Sequence, residues 1–369
     1  MLARKSTLLL GPRQTGKTSL LRHALRGART YNLLDSDVYL KLSRRPARLR
    51  EELAPGDKTV VIDEIQRLPA LLDEVQLLIE ERGIRFLLTG SSARKLRRGG
   101  VNLLGGRAAT MTLHPFVSAE LPELELSRVL QFGLLPPVYF SDRPDAELVD
   151  YVGTYLKEEI AAEGLTRNVP AFSRFLEVAA LCDGQQINFT NIANDAQVAR
   201  TTVHEYFEIL KDTLLAYELP AWQKTLKRKP IQVHKFFFFD VGVSRALRGG
   251  GPLPDNSPEF GNAFERFLFH ELRAYADYRM GRGGEHLHYW RSKSGFEVDF
   301  ILADKTAVEV KATRHVSPRD LRGLRALSEE GSIRRLVCVS RETERRVVEG
   351  VEILPWRLFL KNLWADAFR

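Results

Sequence analysis

Residues Gly11, Pro12, Arg13, Gln14, Thr15, Gly16, Lys17 and Thr18 read G-P-R-Q-T-G-K-T. This is the pattern G-x-x-x-x-G-K-[ST], which requires a strand before it and a helix after it. The flanks agree: an apolar run, Thr7 to Leu10, precedes the loop, and a helix-like run, Ser19 to Leu25, follows it. Glycine permits backbone shapes that a Cβ would block, so the loop amides can turn inward around phosphate oxygens. The helix starting at the loop adds the positive end of its dipole. In such a loop Lys17 is expected to reach the β- and γ-phosphates of ATP and the Thr18 hydroxyl to ligate Mg2+, with Ser19 closing the binding segment.

A second segment answers the first. Thr59 to Gln66 reads T-V-V-I-D-E-I-Q, a β-favouring run ending in two adjacent carboxylates. At the end of a central parallel strand, Asp63 is expected to hold Mg2+ and Glu64 to polarise the attacking water, because phosphoryl transfer needs mainly positioning and charge neutralisation. Ile84 to Ser92, I-R-F-L-L-T-G-S-S, reads as another buried strand. Ser91, or with less support Thr89, is placed to orient the lytic water. Tyr31 to Asp35 and Ala108 to Leu113 supply two more strands. The expected fold class is α/β, with a five-stranded, mainly parallel sheet and helices on both faces.

Arg107 follows two glycines in L-L-G-G-R-A. Placed beyond the nucleotide edge of the sheet, it could reach the γ-phosphate of a neighbouring subunit; a surface arginine in a turn is the other reading. Arg94, Lys95, Arg97 and Arg98 form a basic cluster nearby. It suits a solvated face or contact with nucleic-acid phosphates.

Together, G-P-R-Q-T-G-K-T, V-V-I-D-E-I-Q, L-L-T-G-S-S-A-R, L-L-G-G-R-A and L-H-P-F resemble the signature set of a prokaryotic AAA-type ATPase family whose C-terminal domain has no known function. The resemblance spans essentially the whole chain. It implies that Lys17, Thr18, Asp63 and Glu64 are the ATPase residues and Arg107 a candidate finger. Relatives carry a further segment ahead of the first strand, whereas six residues precede it here. Phosphate binding is therefore better supported than recognition of the adenine base.

Charge is uneven along the chain. The net value is +8, yet residues 1–118 hold 21 Lys and Arg against 11 Asp and Glu, and residues 119–165 hold 3 against 10. A basic core beside an acidic segment suits a polyanion or a neighbouring subunit. No apolar run is long enough to span a membrane. Two cysteines, Cys182 and Cys338, far apart in apolar surroundings, point to a reducing, cytoplasmic setting rather than a disulfide framework.

Residues 119–165 read as a helical lid or connector, punctuated by Pro115, Pro122 and the Pro136–Pro137 pair. In residues 166–255, Ala171 to Leu181 is amphipathic, Thr190 is a plausible cap for the next helix, and Ala199 to Leu210 follows a short turn. Thr201, Thr202 and His204 would lead a recognition helix, with Arg200 on phosphate. Lys224, Lys227, Arg228, Lys229 and Pro230 would form a basic wing, and Phe236 to Phe239 the returning strand. The family resemblance also implies a winged-helix-like module here. A helical packing unit without DNA contact is the plainer alternative.

Residues 256–369 read as a separate α/β domain. Glu265 lies on a helix spanning Asn262 to Tyr275, Glu297 to Leu302 is a strand, and Thr306 to Ala312 is its hairpin partner. Glu309 and Lys311, two apart, share a face, and a three-residue turn sets Asp299 opposite Glu309. This order resembles the PD-(D/E)xK nuclease superfamily. The resemblance implies that Asp299 and Glu309, helped by Glu265, bind Mg2+, and that Lys311 positions a water for attack on a phosphodiester. A cross-strand ion pair on a solvated face would use the same residues. His286 and His288 alternate on a strand without a third ligand for zinc.

The reading that collects these features is a Mg2+-dependent ATPase acting on DNA as a homo-oligomeric ring, such as a hexamer, which moves along or remodels DNA, including branched DNA. A nucleotide-dependent switch binding protein partners, or an ATP-regulated endonuclease, are the alternatives.

Overall fold

A computed structural model of the chain describes residues 5–92, 104–155, 168–281, 283–331 and 333–368. The chain divides into two units. One comprises Met1–His114 with Asp212–Leu215, the other Pro115–Lys211 with Ala216–Arg369.

The first unit is built on strands β1 (Ser6–Leu10), β2 (Arg29–Asn32), β3 (Thr59–Asp63), β4 (Arg85–Gly90) and β5 (Ala108–Thr112), in the order β2-β3-β4-β1-β5. Every pairing is parallel. Side chains alternate across a strand, and this alternation divides the core. Leu8, Leu10, Val60, Ile62, Phe86 and Leu88 pack on one face, with helices α2 (Ser36–Arg44), α3 (Arg48–Glu52) and α4 (Leu71–Arg82) contributing Leu42, Leu49, Leu72, Val75 and Leu78. Leu9, Val61 and Leu87 pack on the other, against Leu21 of α1 (Lys17–Ala24). Strands buried on both faces explain the near-continuous apolar runs in the sequence. One boundary differs from expectation. β2 ends at Asn32, and Asp35 instead caps α2, accepting bonds from the Asp37 and Val38 amides. A carboxylate that can satisfy free helix-start N–H groups is better placed there than in a strand.

In the second unit, helices α5 (Leu126–Phe132), α6 (Pro136–Phe140), α7 (Pro144–Asp150), α8 (Val169–Leu181), α9 (Phe189–Ala196) and α10 (Arg200–Asp212) lead into a small antiparallel sheet. Its strands β6 (Gln185–Gln186), β7 (Ala216–Leu219) and β8 (Lys235–Phe238) run in the order β6-β8-β7. The cap of α9 is Asn188 rather than Thr190: its side chain accepts from the Thr190 and Asn191 amides. Helix α11 (Val241–Leu247) crosses α5 at very short range. A Cβ on Gly242 would lie 2.0 Å from the Phe132 carbonyl oxygen. Asp240 ties the crossing, accepting from the Val243 and Leu134 amides at 3.0 and 2.7 Å.

The chain continues through α12 (Pro258–Tyr275) into a mixed six-stranded sheet of β9 (Leu287–Arg291), β10 (Glu297–Leu302), β11 (Thr306–Lys311), β12 (Arg335–Ser340), β13 (Arg346–Val348) and β14 (Val351–Pro355), ordered β13-β14-β12-β11-β10-β9, with α13 (Arg322–Ser328) and α14 (Trp356–Trp364) packed on it. The helical segment, the small sheet and the mixed sheet all fall in the second unit. His286 precedes β9, so it does not alternate with His288 on a strand. Both cysteines are free thiols. Among the described residues no helix is long and apolar enough to cross a membrane.

Glu271 of α12 is fully buried and joins this unit's first and last segments. It accepts from the Ser118 amide and hydroxyl and from the Trp364 indole at 2.7, 2.9 and 2.7 Å. Burial pushes its carboxyl up to about 7 against the pull of those donors. From its ordinary value of 4.5 up to about 7, the folded chain keeps a proton that the unfolded chain has released, so stability falls as pH rises through that window. Relative to Glu271→Gln, the wild type should therefore lose up to about 3 kcal/mol between pH 4.5 and 8. Denaturant melts of both chains at several pH values check this. A difference that stays constant with pH would contradict it.

Candidate active site

An all-parallel sheet puts every strand's C-terminal end on one edge, where ligands of open α/β sheets bind. Here that edge gathers the loop after β1, Asp63 at the end of β3 and Ser91 just after β4. The loop backbone is left-handed at Gln14 (φ 63°) and Gly16 (φ 93°), the alternation that lets successive amides form an anion-binding concavity. Gly11 leaves no space for a side chain, since a Cβ there would meet the Leu113 carbonyl oxygen at 2.5 Å. Lys17 is buried, and its ammonium donates to the Gly11 and Pro12 carbonyls at 2.8 Å each. The lysine therefore sits over the loop that it is expected to serve.

Thr18 lies in the first turn of α1, and its hydroxyl donates to Asp63 Oδ2 at 3.0 Å. Residues 45 apart in sequence thus present a hydroxyl and a carboxylate side by side. Such hard oxygen donors suit Mg2+, which takes one or two protein ligands and completes its shell with phosphate and water. A cavity of about 250 Å3 adjoins them, lined among others by Thr18, Arg22, Asn32 and Asp63.

Glu64 immediately follows β3 with φ 62°. A non-glycine residue held in the left-handed region costs about 1–3 kcal/mol, and such strain clusters at functional sites. The Glu64 amide donates to Thr89 Oγ1, and Thr89 in turn hydrogen-bonds Asp63. Thr89 therefore ties the Asp63 carboxylate to the Glu64 backbone. Ser91 is buried and accepts from Gln66 Nε2 at 3.1 Å, and the same amide donates to Glu64 Oε2 at 2.5 Å. Gln66 thus links the candidate base to Ser91. Sequence reasoning passed over it, although the signal was an amide three residues after Asp63 in D-E-I-Q.

Arg107 lies elsewhere. The register pairs Ser6 with Ala108 and Leu10 with Thr112, so Arg107 precedes β5 at the N-terminal edge of the sheet. The loop lies past the opposite edge, about 13 Å away at the usual rise per strand residue. The expected position beyond the nucleotide edge is corrected accordingly: parallel topology, which a glycine turn cannot reveal, places Arg107 at the far side, 2.7 Å from Glu80. It cannot act on its own chain's loop. The cluster Arg94, Lys95, Arg97 and Arg98 lies outside the described residues.

In the second unit, α9, a turn and α10 form two consecutive helices beside the small sheet. Thr201 and His204 are exposed and Thr202 is half-buried, but His204 stacks on Phe189 with ring centres 3.6 Å apart. Part of the supposed basic wing is neutralised. Lys224 pairs with Asp304 at 2.7 Å, and Arg228 pairs with Glu329 at 2.7 Å and Glu330 at 3.3 Å. Glu330 also accepts from the Leu226, Lys227 and Arg228 amides, fastening the segment down.

The third group converges on one face of the C-terminal sheet. The paired register runs from Leu302↔Thr306 to Phe300↔Val308, through a turn with Ala303 and Asp304 left-handed, and Asp299 and Glu309 are the next residue on each strand. Asp299 Oδ2 accepts the Val310 amide at 2.8 Å, and Lys311 pairs with Glu309 at 2.6 Å. Glu265 of α12 joins them through an unexpected residue: the Lys235 ammonium of β8 lies 3.3 Å from Glu265 and 2.8 Å from Glu297. Burial, with Asp299 adding repulsion, pushes Glu265 up to about 7 and Glu309 well above the usual carboxylate range. Glu309 Oε2 is buried without a hydrogen-bond partner. The donor set is short of positive charge, which fits a divalent cation. As the side chains stand, however, no three Asp, Glu, His or Cys among the described residues are grouped to hold a metal.

Three family models match the chain. An AAA domain covers residues 3–121, a domain of unknown function (DUF8612) residues 123–253, and another (DUF4143) residues 260–359. The chain therefore carries an AAA-type P-loop domain at its N-terminus, followed by two domains without known function. Uncharacterized proteins of Mycobacterium tuberculosis (strain H37Rv) and Mycobacterium bovis are each 26% identical over 302 residues, covering 80% of this chain and 67% of theirs. Among solved structures, a Signal Transduction ATPase with Numerous Domains protein with a tetratricopeptide repeat sensor, from Pyrococcus horikoshii, aligns over 75% of this chain and 46% of its own. It is 14% identical with a TM-score of 0.20, too low for a structural argument.

Proposed function

We propose that the chain is a Mg2+-dependent ATPase whose turnover drives work on DNA by an oligomer. The observation that carries the ATPase reading is the 3.0 Å bond from Thr18 Oγ1 to Asp63, with Glu64 next in sequence and the loop backbone curled beside it. Loop amides and Lys17 bind the phosphates. Thr18 and Asp63 hold Mg2+, which when bound neutralises phosphate charge. Glu64 orients the attacking water, and Gln66 and Thr89 orient Glu64 and Asp63. Arg107, on the far edge of the sheet, serves a neighbouring chain's γ-phosphate, which makes the active form an oligomer.

The DNA half of the proposal is supported by the two consecutive helices α9 and α10, with Arg200 and Thr201 exposed at the start of the second, and by the net charge of +8. The neutralised wing shifts the expected phosphate contacts toward Arg200. ATP turnover measured with single-stranded, duplex and four-way DNA tests it. Severalfold stimulation that fades with added salt is the expected result, since each phosphate contact releases counterions. Absence of both stimulation and salt-sensitive binding would leave a nucleotide-dependent switch that binds protein partners.

The unpartnered Glu309 Oε2 favours a second activity. Asp299, Glu309 and Glu265 would hold a divalent cation, which supplies Lewis acidity, and Lys311 would position a water against a phosphodiester.

A further inference from the structure

Lys235 comes from the middle strand of the small sheet, yet its ammonium is buried among the carboxylates of the C-terminal sheet and α12. It stands 2.8 Å from Glu297, 3.3 Å from Glu265 and 5.3 Å from the centre of the Tyr289 ring. Glu265, Glu297, Asp299 and Glu309 share the face with two ammonium groups, Lys235 and Lys311. Arg291, 3.6 Å from Glu297, gives that carboxylate a second cation. Among the described residues, Lys235 is the one ion-pair partner of Glu265.

We infer that the Lys235 ammonium is the resident cation of this cluster, and that a divalent cation engages Glu265 by displacing it. The inference rests on the cation-binding reading of the cluster given above. Two cations within about 4 Å in a buried site repel by several kcal/mol even at an effective dielectric of ~20, so both cannot keep Glu265. Release of Lys235 does not strand Glu297, which keeps Arg291. The lysine is also tied to the candidate DNA module: Phe236, its neighbour on β8, meets Phe207 of α10 edge to face with ring centres 4.6 Å apart. A shift of α10 on a bound strand therefore bears directly on the position of Lys235, linking the middle module to metal entry.

Calorimetric titration of the full chain with Mn2+ tests the inference, in an Asp63→Asn background that removes the other candidate divalent site. Lys235→Met, which keeps the length of the stem without the charge, should bind Mn2+ about tenfold or more tightly than the chain retaining Lys235. Adding Glu309→Gln should abolish the gain. If the chain with Lys235 binds Mn2+ and Lys235→Met binds no tighter, the displacement idea is wrong while the cation site stands. If neither binds, both fall. A second measurement needs no substitution at Lys235. Saturating Mn2+ should raise acetylation of the Lys235 amine by an N-hydroxysuccinimide ester severalfold, read by peptide mass spectrometry. Labelling that Mn2+ leaves unchanged would overturn the displacement.

Discussion

Glu64→Gln should bind Mg·ATP as tightly as the wild type while releasing phosphate about 10²–10⁴ times more slowly, the range a positioned general base contributes. The substitution keeps the length and shape of the side chain. An amide oxygen can still accept the Gln66 bond made at 2.5 Å, and the left-handed backbone at 62° is unchanged because it is set by the flanking strand and turn. Only the capacity to polarise water is removed. Phosphate binding belongs to other groups, Lys17, Thr18 and the loop amides, so affinity should survive. Phosphate release paired with equilibrium nucleotide binding checks both halves. Unchanged turnover would move the base to another residue, and a parallel loss of binding would make Glu64 a structural member of the loop edge.

Gly242→Ala should destabilise the second unit by about 3 kcal/mol, at the upper end of the cost of overpacking. The added methyl would meet the Phe132 carbonyl oxygen at 2.0 Å and the Gly133 amide nitrogen at 2.7 Å. Both are backbone atoms, so no rotamer change relieves the contact, and α5 and α11 must move apart. That separation would also strain the bond from the Leu134 amide to Asp240. Chemical denaturation followed by far-UV circular dichroism reads the effect. A melting profile superimposable on that of the wild type would mean that the helices slide without cost.

The phosphate loop and the Asp63–Glu64 pair were legible because their chemistry is local: each depends on residues within about eight positions and on the strand that carries them. The β10–β11 hairpin was legible for the same reason, since a three-residue turn sets its register. What escaped was decided by topology. Whether Arg107 faces the nucleotide edge depends on the direction of β5, which its own sequence does not encode. The basic run from Lys224 to Lys229 reads as a DNA-binding wing until Asp304, Glu329 and Glu330, distant in sequence, close over part of it. Lys235 stands just before the aromatic run Phe236 to Phe239, and only the packing of β8 beside α12 and β10 reveals its carboxylate partners. Gln66 and Asn188 were nearer misses: both stood in the segments read, but their side-chain bonds depend on the turn that follows each strand or loop.

The central claim is that the edge gathering Lys17, Thr18, Asp63 and Glu64 hydrolyses ATP. Steady-state phosphate release from ATP by the full chain, with Mg2+ and with chelator, set beside Lys17→Ala, tests it most directly. The account predicts release that requires Mg2+ and disappears in Lys17→Ala. Release that persists undiminished in that variant, or a wild type without Mg2+-dependent turnover across all DNA forms tried, would contradict it.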